Sequence, residues 1–341
     1  MIWMFVAWFV LCASVPMVQA QGAVPPAITE EERALEEAKR GTGPFPLGAS
    51  VSLTQSLGGG TFVKDEYVRR ASYDVSLGVS PYWRITPMLR LGAGLSVSQS
   101  MVENYDSSVT KRNRTSLSDL SLSLTHLRIF TIPVVKIGIN AGINASFPTS
   151  LQSKYRGLYL STRARVGMSK IVGPVYLAYG VSFFKNFNRY TSPIIDKSRV
   201  GEHVVLSHYN GNEQLTTDLV SVGGLNTSHG LVNTFLVSWN IIDNLSLAVY
   251  YALNHSWTYG EFEKDDLSSP YADAGRGLRD SQTGVVDISY SINNNLSVSL
   301  GAQTMVAPKT ANNEGAVFPF LNFSNNYRNN SAVYLGLGGN F

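Results

Sequence analysis

From Leu47 to its last residue the chain repeats one device: about ten residues in which apolar and small polar side chains alternate, then a turn, then another alternation. Tyr73, Val75, Leu77 and Val79 form one such stripe, and Leu89, Leu91, Ala93, Leu95 and Val97 form the next. Ile137, Ile139, Ala141, Ile143 and Ala145 follow the same rule, as do Leu245, Leu247, Val249, Tyr251 and Leu253. A period of two sends successive side chains to opposite faces of an extended strand, so each segment has one apolar and one polar face. About twelve segments fit: 47–57, 69–80, 88–99, 116–127, 135–146, 157–169, 174–184, 229–240, 245–256, 282–292, 296–305 and 329–341. The pattern predicts an all-β chain whose many apolar faces must all find cover.

The connectors show what covers them. Those at 81–87, 128–134, 170–174, 241–244 and 293–295 are short and carry turn residues such as Pro81, Gly173-Pro174, Asp243-Asn244 and Asn293-Asn294-Asn295. Those at 58–68, 100–115, 147–156, 185–228, 256–281 and 305–328 are longer and more polar. Alternation of short turns with long loops is the pattern of a transmembrane antiparallel β-barrel, with turns on one side of the bilayer and loops on the other. An even strand count then puts both termini on the short-turn side.

Aromatic residues collect at the ends of the apolar stripes. Tyr73, Phe147, Phe183 and Trp257 fall at the long-loop end, and Trp83, Phe130, Trp239 and Phe341 at the other. These positions suit the two interfacial girdles, where an amphipathic ring meets both hydrocarbon and headgroups. A soluble sandwich of the same strands would give no reason for the loops to alternate in length. Composition agrees with the membrane reading: only 15% of residues are charged, against roughly a quarter in an ordinary soluble domain. Mean hydropathy near zero excludes a protein of many apolar helices. A formal charge of +3 offers no cationic surplus for a nucleic acid.

The first 46 residues differ. Ile2–Val10 is an apolar run and Val18-Gln19-Ala20 a small-residue cleavage site, so residues 1–20 read as a signal peptide, with an uncleaved anchor as the alternative. Cys12 falls inside that segment, which leaves the remainder without cysteine and without a disulfide framework. Residues 21–46 are expected to form a periplasmic N-terminal segment with a short helix over Thr29–Arg40. Thr29 and Glu32 fit a capping box there. Its apolar stripe of Ala34, Leu35 and Ala38 is too thin for a core, so the helix is either solvated or a small plug.

The chain ends on Val333-x-Leu335-x-Leu337-x-Gly339-x-Phe341, a strand that stops on an aromatic residue. Together with the export signal, the alternating strands and the loop asymmetry, this ending resembles a Gram-negative outer-membrane β-barrel, porin-like in kind. The resemblance covers nearly all of residues 47–341. It implies a single barrel domain in the cell outer membrane with both termini in the periplasm. It implies contact with outer-membrane lipids and lipopolysaccharide, and reading of Val333, Leu335, Leu337 and Phe341 by the barrel-assembly machinery.

Inward parity places Asp74, Arg90, Asp119, Lys136, Arg163, Arg165 and Asp287 in the lumen. Arg163 and Arg165 share one face about 7 Å apart along their strand, and two guanidiniums in a narrow pore concentrate anions. Alternatively, they pair with Asp74, Asp119 or Asp287 and brace the wall. Lumen glycines Gly78, Gly92, Gly94, Gly138, Gly142, Gly336 and Gly338 are expected to leave room for water. The expected function is passive diffusion of small polar solutes through a porin-like channel. A closed-lumen surface protein that works through its long loops is the alternative from another class.

Outer-membrane phospholipase is also a twelve-stranded barrel, with a signature resembling His-x-Ser-Asn-Gly. Here His208-Tyr209-Asn210-Gly211 lacks the serine, so the acyl-transfer arrangement is missing its nucleophile and no enzyme is expected. His203, His208, His229 and His255 match no ligand spacing and read as solvated loop residues, so no metal or cofactor is expected.

Overall fold

The computed structural model describes residues 47–62, 72–103, 115–191, 194–196, 219–221, 225–262, 275–310, 314–321 and 330–341. The expected signal segment, Cys12, the Thr29–Arg40 helix, and His203 and His208 lie outside the described residues. Twelve long strands make the wall: β1 Leu47–Gly58, β2 Ser72–Arg84, β3 Leu89–Glu103, β4 Leu120–Ile132, β5 Ile137–Phe147 and β6 Leu158–Val172. They continue as β7 Val175–Asn188, β8 Thr227–Ile242, β9 Leu245–Phe262, β10 Gly275–Ser291, β11 Leu296–Val306 and β12 Asn330–Asn340. Short strands at Thr115–Leu117, Ile194–Asp196 and Leu219–Ser221 and a five-residue helix, α1 (Leu151–Tyr155), belong to the connections.

Each strand pairs antiparallel with the next, and β1 pairs with β12 over Ser50–Gly58, which closes the sheet into a barrel. The seam is finished by two backbone bonds: Ala49 N–H donates to Phe341 C=O at 2.8 Å, and Phe341 N–H donates to Ala49 C=O at 2.9 Å. The terminal residue is thus bonded into the wall. Closure matters because hydrocarbon offers no partner to an unpaired backbone group, and an open edge would present a row of them.

Connector lengths alternate as the sequence predicts, and several boundaries move. Pro81 lies inside β2, and the ladder to β3 lapses at Ser80 and Pro81, where proline brings no N–H. Lys136 is corrected from a lumen position: it is the last residue of the exposed 133–136 turn, with φ of 52°. β9 and β10 run past their expected outer limits, so this part of the wall extends farther on the long-loop side than β11 and β12.

The apolar stripes face outward all round. Leu77, Leu95, Ile143, Val166, Phe235, Ile288, Leu300 and Leu335 are exposed, in a band no water-soluble monomer would leave bare. The opposite face is polar and more closely packed than the glycine count suggests. A Cβ on Gly78, Gly92, Gly94 or Gly142 would lie 2.7 to 3.1 Å from the hydroxyl of Ser52, Ser123, Ser121 or Thr125 on the adjacent strand. Those glycines therefore make space for neighbouring hydroxyls rather than for bulk water. Gly48 and Gly301 admit larger groups: the Tyr82 ring lies across the first and the Tyr334 ring across the second. Gly301→Val would drive a branched side chain into that ring. An overpacking cost of about 1–3 kcal/mol is expected, read as a lower midpoint for unfolding by guanidinium in lipid vesicles.

Candidate functional site in the barrel lumen

Lumen-facing positions on the two sides of the barrel differ. On β2 to β5 most are half-buried, whereas Ser246, Ala248, Asp287, Ser289 and Ser299 on β9, β10 and β11 are buried. Arg163 and Arg165 sit on β6, at the boundary between these sides. Register pairs Arg163 with Asn144 of β5 and Phe184 of β7, and Arg165 with Gly142 and Ser182. The Arg163 guanidinium lies 5.4 Å from the Phe184 ring centroid, a cation–π contact that takes nothing from its charge. Phe184 packs with Val232 and Ala252, and Tyr250 leans on that cluster, so an apolar shelf lies beside the two arginines.

Neither arginine forms an ion pair with a carboxylate among the described residues. The three expected acids have other partners. Asp74 accepts a hydrogen bond from the Ser100 hydroxyl. Asp119 belongs to the connection before β4 rather than to the wall. It accepts from Ser150 N–H at 2.9 Å and from the Ser153 hydroxyl, tying α1 to the rim. Asp287 is only 2% exposed, beneath Tyr334, whose hydroxyl donates to it at 2.8 Å. Tyr334 reaches it by crossing Gly301 on the intervening strand.

A second cationic group occupies the short-turn end. Arg84 and Arg90 are register partners on β2 and β3, with Tyr82 beside them. Their guanidiniums lie 5.5 and 4.0 Å from the Tyr82 ring centroid, and Arg84 also donates to the Tyr82 hydroxyl at 3.2 Å. Arg84 and Tyr82 were absent from the candidate lumen set, although both share the even parity of Asp74 on β2. The signal was present, but reading Pro81 as the end of the strand hid it.

His229 and His255 lie in β8 and β9 rather than in loops, and both face outward. His229 stacks on Trp257 at 5.3 Å and approaches Phe183 at 6.2 Å, while His255 Nδ1 meets Asp280 Oδ1 at 3.0 Å. Among the described residues no cluster of three or more His, Cys, Asp or Glu side chains could hold a metal ion. Trp83, Phe130, Trp239 and Phe341 are exposed at the short-turn end, and Phe147 and Phe183 at the long-loop end, with Tyr73 and Trp257 half-buried at that level.

A closed antiparallel wall, an apolar outside and a polar inside define the class: this is an outer-membrane-type β-barrel of twelve strands. Among solved structures the chain is similar to an outer-membrane channel from Pseudomonas putida F1, with 10% identity, TM-score 0.49, and coverage of 88% of this chain and 97% of that one. It is also similar to the NanC porin, with 10% identity, TM-score 0.44, and coverage of 85% and 98%. The transport unit of the autotransporter AIDA-I from Escherichia coli shows 12% identity, TM-score 0.40, and coverage of 92% and 97%. No protein-family model matches the chain, and no curated protein matches it in sequence.

The Asp287–Tyr334 bond is the lumen contact whose loss is simplest to measure. Tyr334→Phe keeps the ring over Gly301 but removes the donor from a buried carboxylate. Destabilisation of about 1–3 kcal/mol is expected in guanidinium titrations of the refolded barrel.

Proposed function

We propose that the protein is a porin-like channel for passive diffusion of small polar solutes, with a preference for anions. The observation that carries this reading is the pair Arg163 and Arg165, side by side in the lumen with no carboxylate partner among the described residues. Had Asp74, Asp119 or Asp287 paired with them, the pair would be a brace; each of those acids has another partner. Arg84 and Arg90 add positive charge at the short-turn end of the same lumen. A low-dielectric wall focuses such charge on whatever passes.

The same reading places the barrel in the outer membrane, its termini in the periplasm and Val333, Leu335, Leu337 and Phe341 available to the assembly machinery. Lipopolysaccharide is then the lipid of the outer leaflet.

Planar-bilayer recording of the refolded protein tests the channel. Discrete conductance steps are expected, with a reversal potential in a potassium chloride gradient that favours chloride. At about 6 Å from a permeating ion in water, one charge is worth ~0.7 kcal/mol, attractive for chloride and repulsive for potassium, so each of Arg163→Ala and Arg165→Ala should lower the chloride-to-potassium ratio about tenfold. No conductance steps would overturn the channel, and steps whose selectivity ignores both substitutions would overturn the assignment of the arginines.

A further inference from the structure

The described residues of the connection after β11, 307–310 and 314–321, depart from the usual course of such loops. On the outer face of β10, β11 and β12, Gln282, Thr304, Val306 and Ser331 share the outward parity of Ile288, Leu300 and Leu335. Yet the first four are 4%, 1%, 2% and 7% exposed, against 48%, 56% and 44% for the other three. Residues of the 307–321 segment account for cover over Gln282 and Gly284. Gln282 Nε2 donates to Val317 C=O at 2.6 Å, and the outward face of Gly284 is closed by Pro319 and Phe320. The Phe320 ring lies 6.2 Å from Tyr251 of β9, another outward residue, whose hydroxyl donates to Gln282 Oε1 at 3.2 Å.

The segment therefore neither enters the lumen nor only projects from the rim. Along β10, Gly284 is six residues from Tyr290 at the short-turn end and six from Leu278, the register partner of Trp257. Six residues span ~20 Å of strand, so Gly284 is near the middle of a hydrocarbon band ~25 Å tall once strand tilt is included. At such depth irregular backbone needs internal partners. Val317 N–H donates to Pro308 C=O at 3.0 Å, Thr310 N–H to Gly315 C=O at 2.9 Å, and Lys309 bridges to Ala316. Pro308 and Pro319 bring no N–H at all. Beyond this layer the side chains of Phe318 and Leu321 are 69% and 57% exposed.

From these contacts we infer that residues 317–321 form a flap inserted into the outer leaflet, with Phe318 and Leu321 packed against lipid acyl chains. The flap covers outward polar groups, Gln282 foremost, that would otherwise face hydrocarbon. This follows from the membrane-spanning wall and is independent of whether the lumen conducts.

Nitroxide labels test it, because Cys12 is the only cysteine to remove. In a Cys12→Ser full-length background, Phe318→Cys and Leu321→Cys would be labelled, with Leu300→Cys as the lipid-facing reference and Thr61→Cys, exposed in the connection after β1, as the long-loop-side water reference. Proteins refolded into phosphatidylcholine vesicles, with folding checked by heat-dependent gel mobility, would be probed with oxygen and with a water-soluble nickel chelate. Positions 318 and 321 are expected to match position 300: strong collision with oxygen and loss of collision with the chelate. Chelate access like that at position 61 would put the segment in water and overturn the inference. Protection from both probes would also overturn it, since protein, such as a second copy of this chain, would then cover the patch.

Discussion

The interaction on which the rest of this structure depends is the backbone ladder that returns from β12 to β1. In hydrocarbon, each backbone N–H and C=O left unpaired costs several kcal/mol, so a sheet is tolerated there only when it has no edge. Phe341 completes that ladder with two bonds to Ala49, on the last residue of the chain. Closure also determines the two environments of every strand. Once the sheet is a cylinder, alternation along a strand becomes alternation between lipid and lumen, and a one-residue slip would exchange the two.

Within the lumen, the charges are arranged by what lies between strands rather than along them. Tyr334 crosses a glycine to reach Asp287, and Tyr82 crosses another while lying beside Arg84 and Arg90. The acids are drawn into hydrogen bonds with hydroxyls and backbone N–H groups. Arg163 and Arg165 therefore keep their charge without an acidic partner among the described residues. That separation, more than the simple excess of bases, is what supports the proposed preference for anions. An apolar shelf of Phe184, Val232 and Ala252 lies beside Arg163, so the lumen wall there presents apolar and charged surface side by side.

Much of this was legible from residue types and spacing. The strand stripes, the short-turn pattern and the outward aromatics follow from a period of two and from turn chemistry, both local properties. Asp74, Arg90, Arg163, Arg165 and Asp287 lie within strands, on the face opposite the apolar stripe, where parity alone can place a side chain. Parity carries no such information outside a strand. Lys136 belongs to a turn, Asp119 to a rim connection, and Arg84 was lost because Pro81 read as a breaker although the wall tolerates it where one ladder lapses. His229 and His255 sit at the long-loop ends of the segments 229–240 and 245–256, where spacing alone does not separate strand from loop; their contacts with Trp257 and Asp280 show them in the outer face of the wall.

By itself, the sequence determined the architecture: about twelve amphipathic strands, alternating connectors and a terminal strand that must pair. These are properties of residues close together in the chain, and periodicity records them. Only the tertiary structure decided which charges meet, which glycines hold a ring and which a hydroxyl, and that residues 317–320 lie on the outer wall. Those outcomes depend on register between strands far apart in sequence, for which alternation within a single strand carries no information.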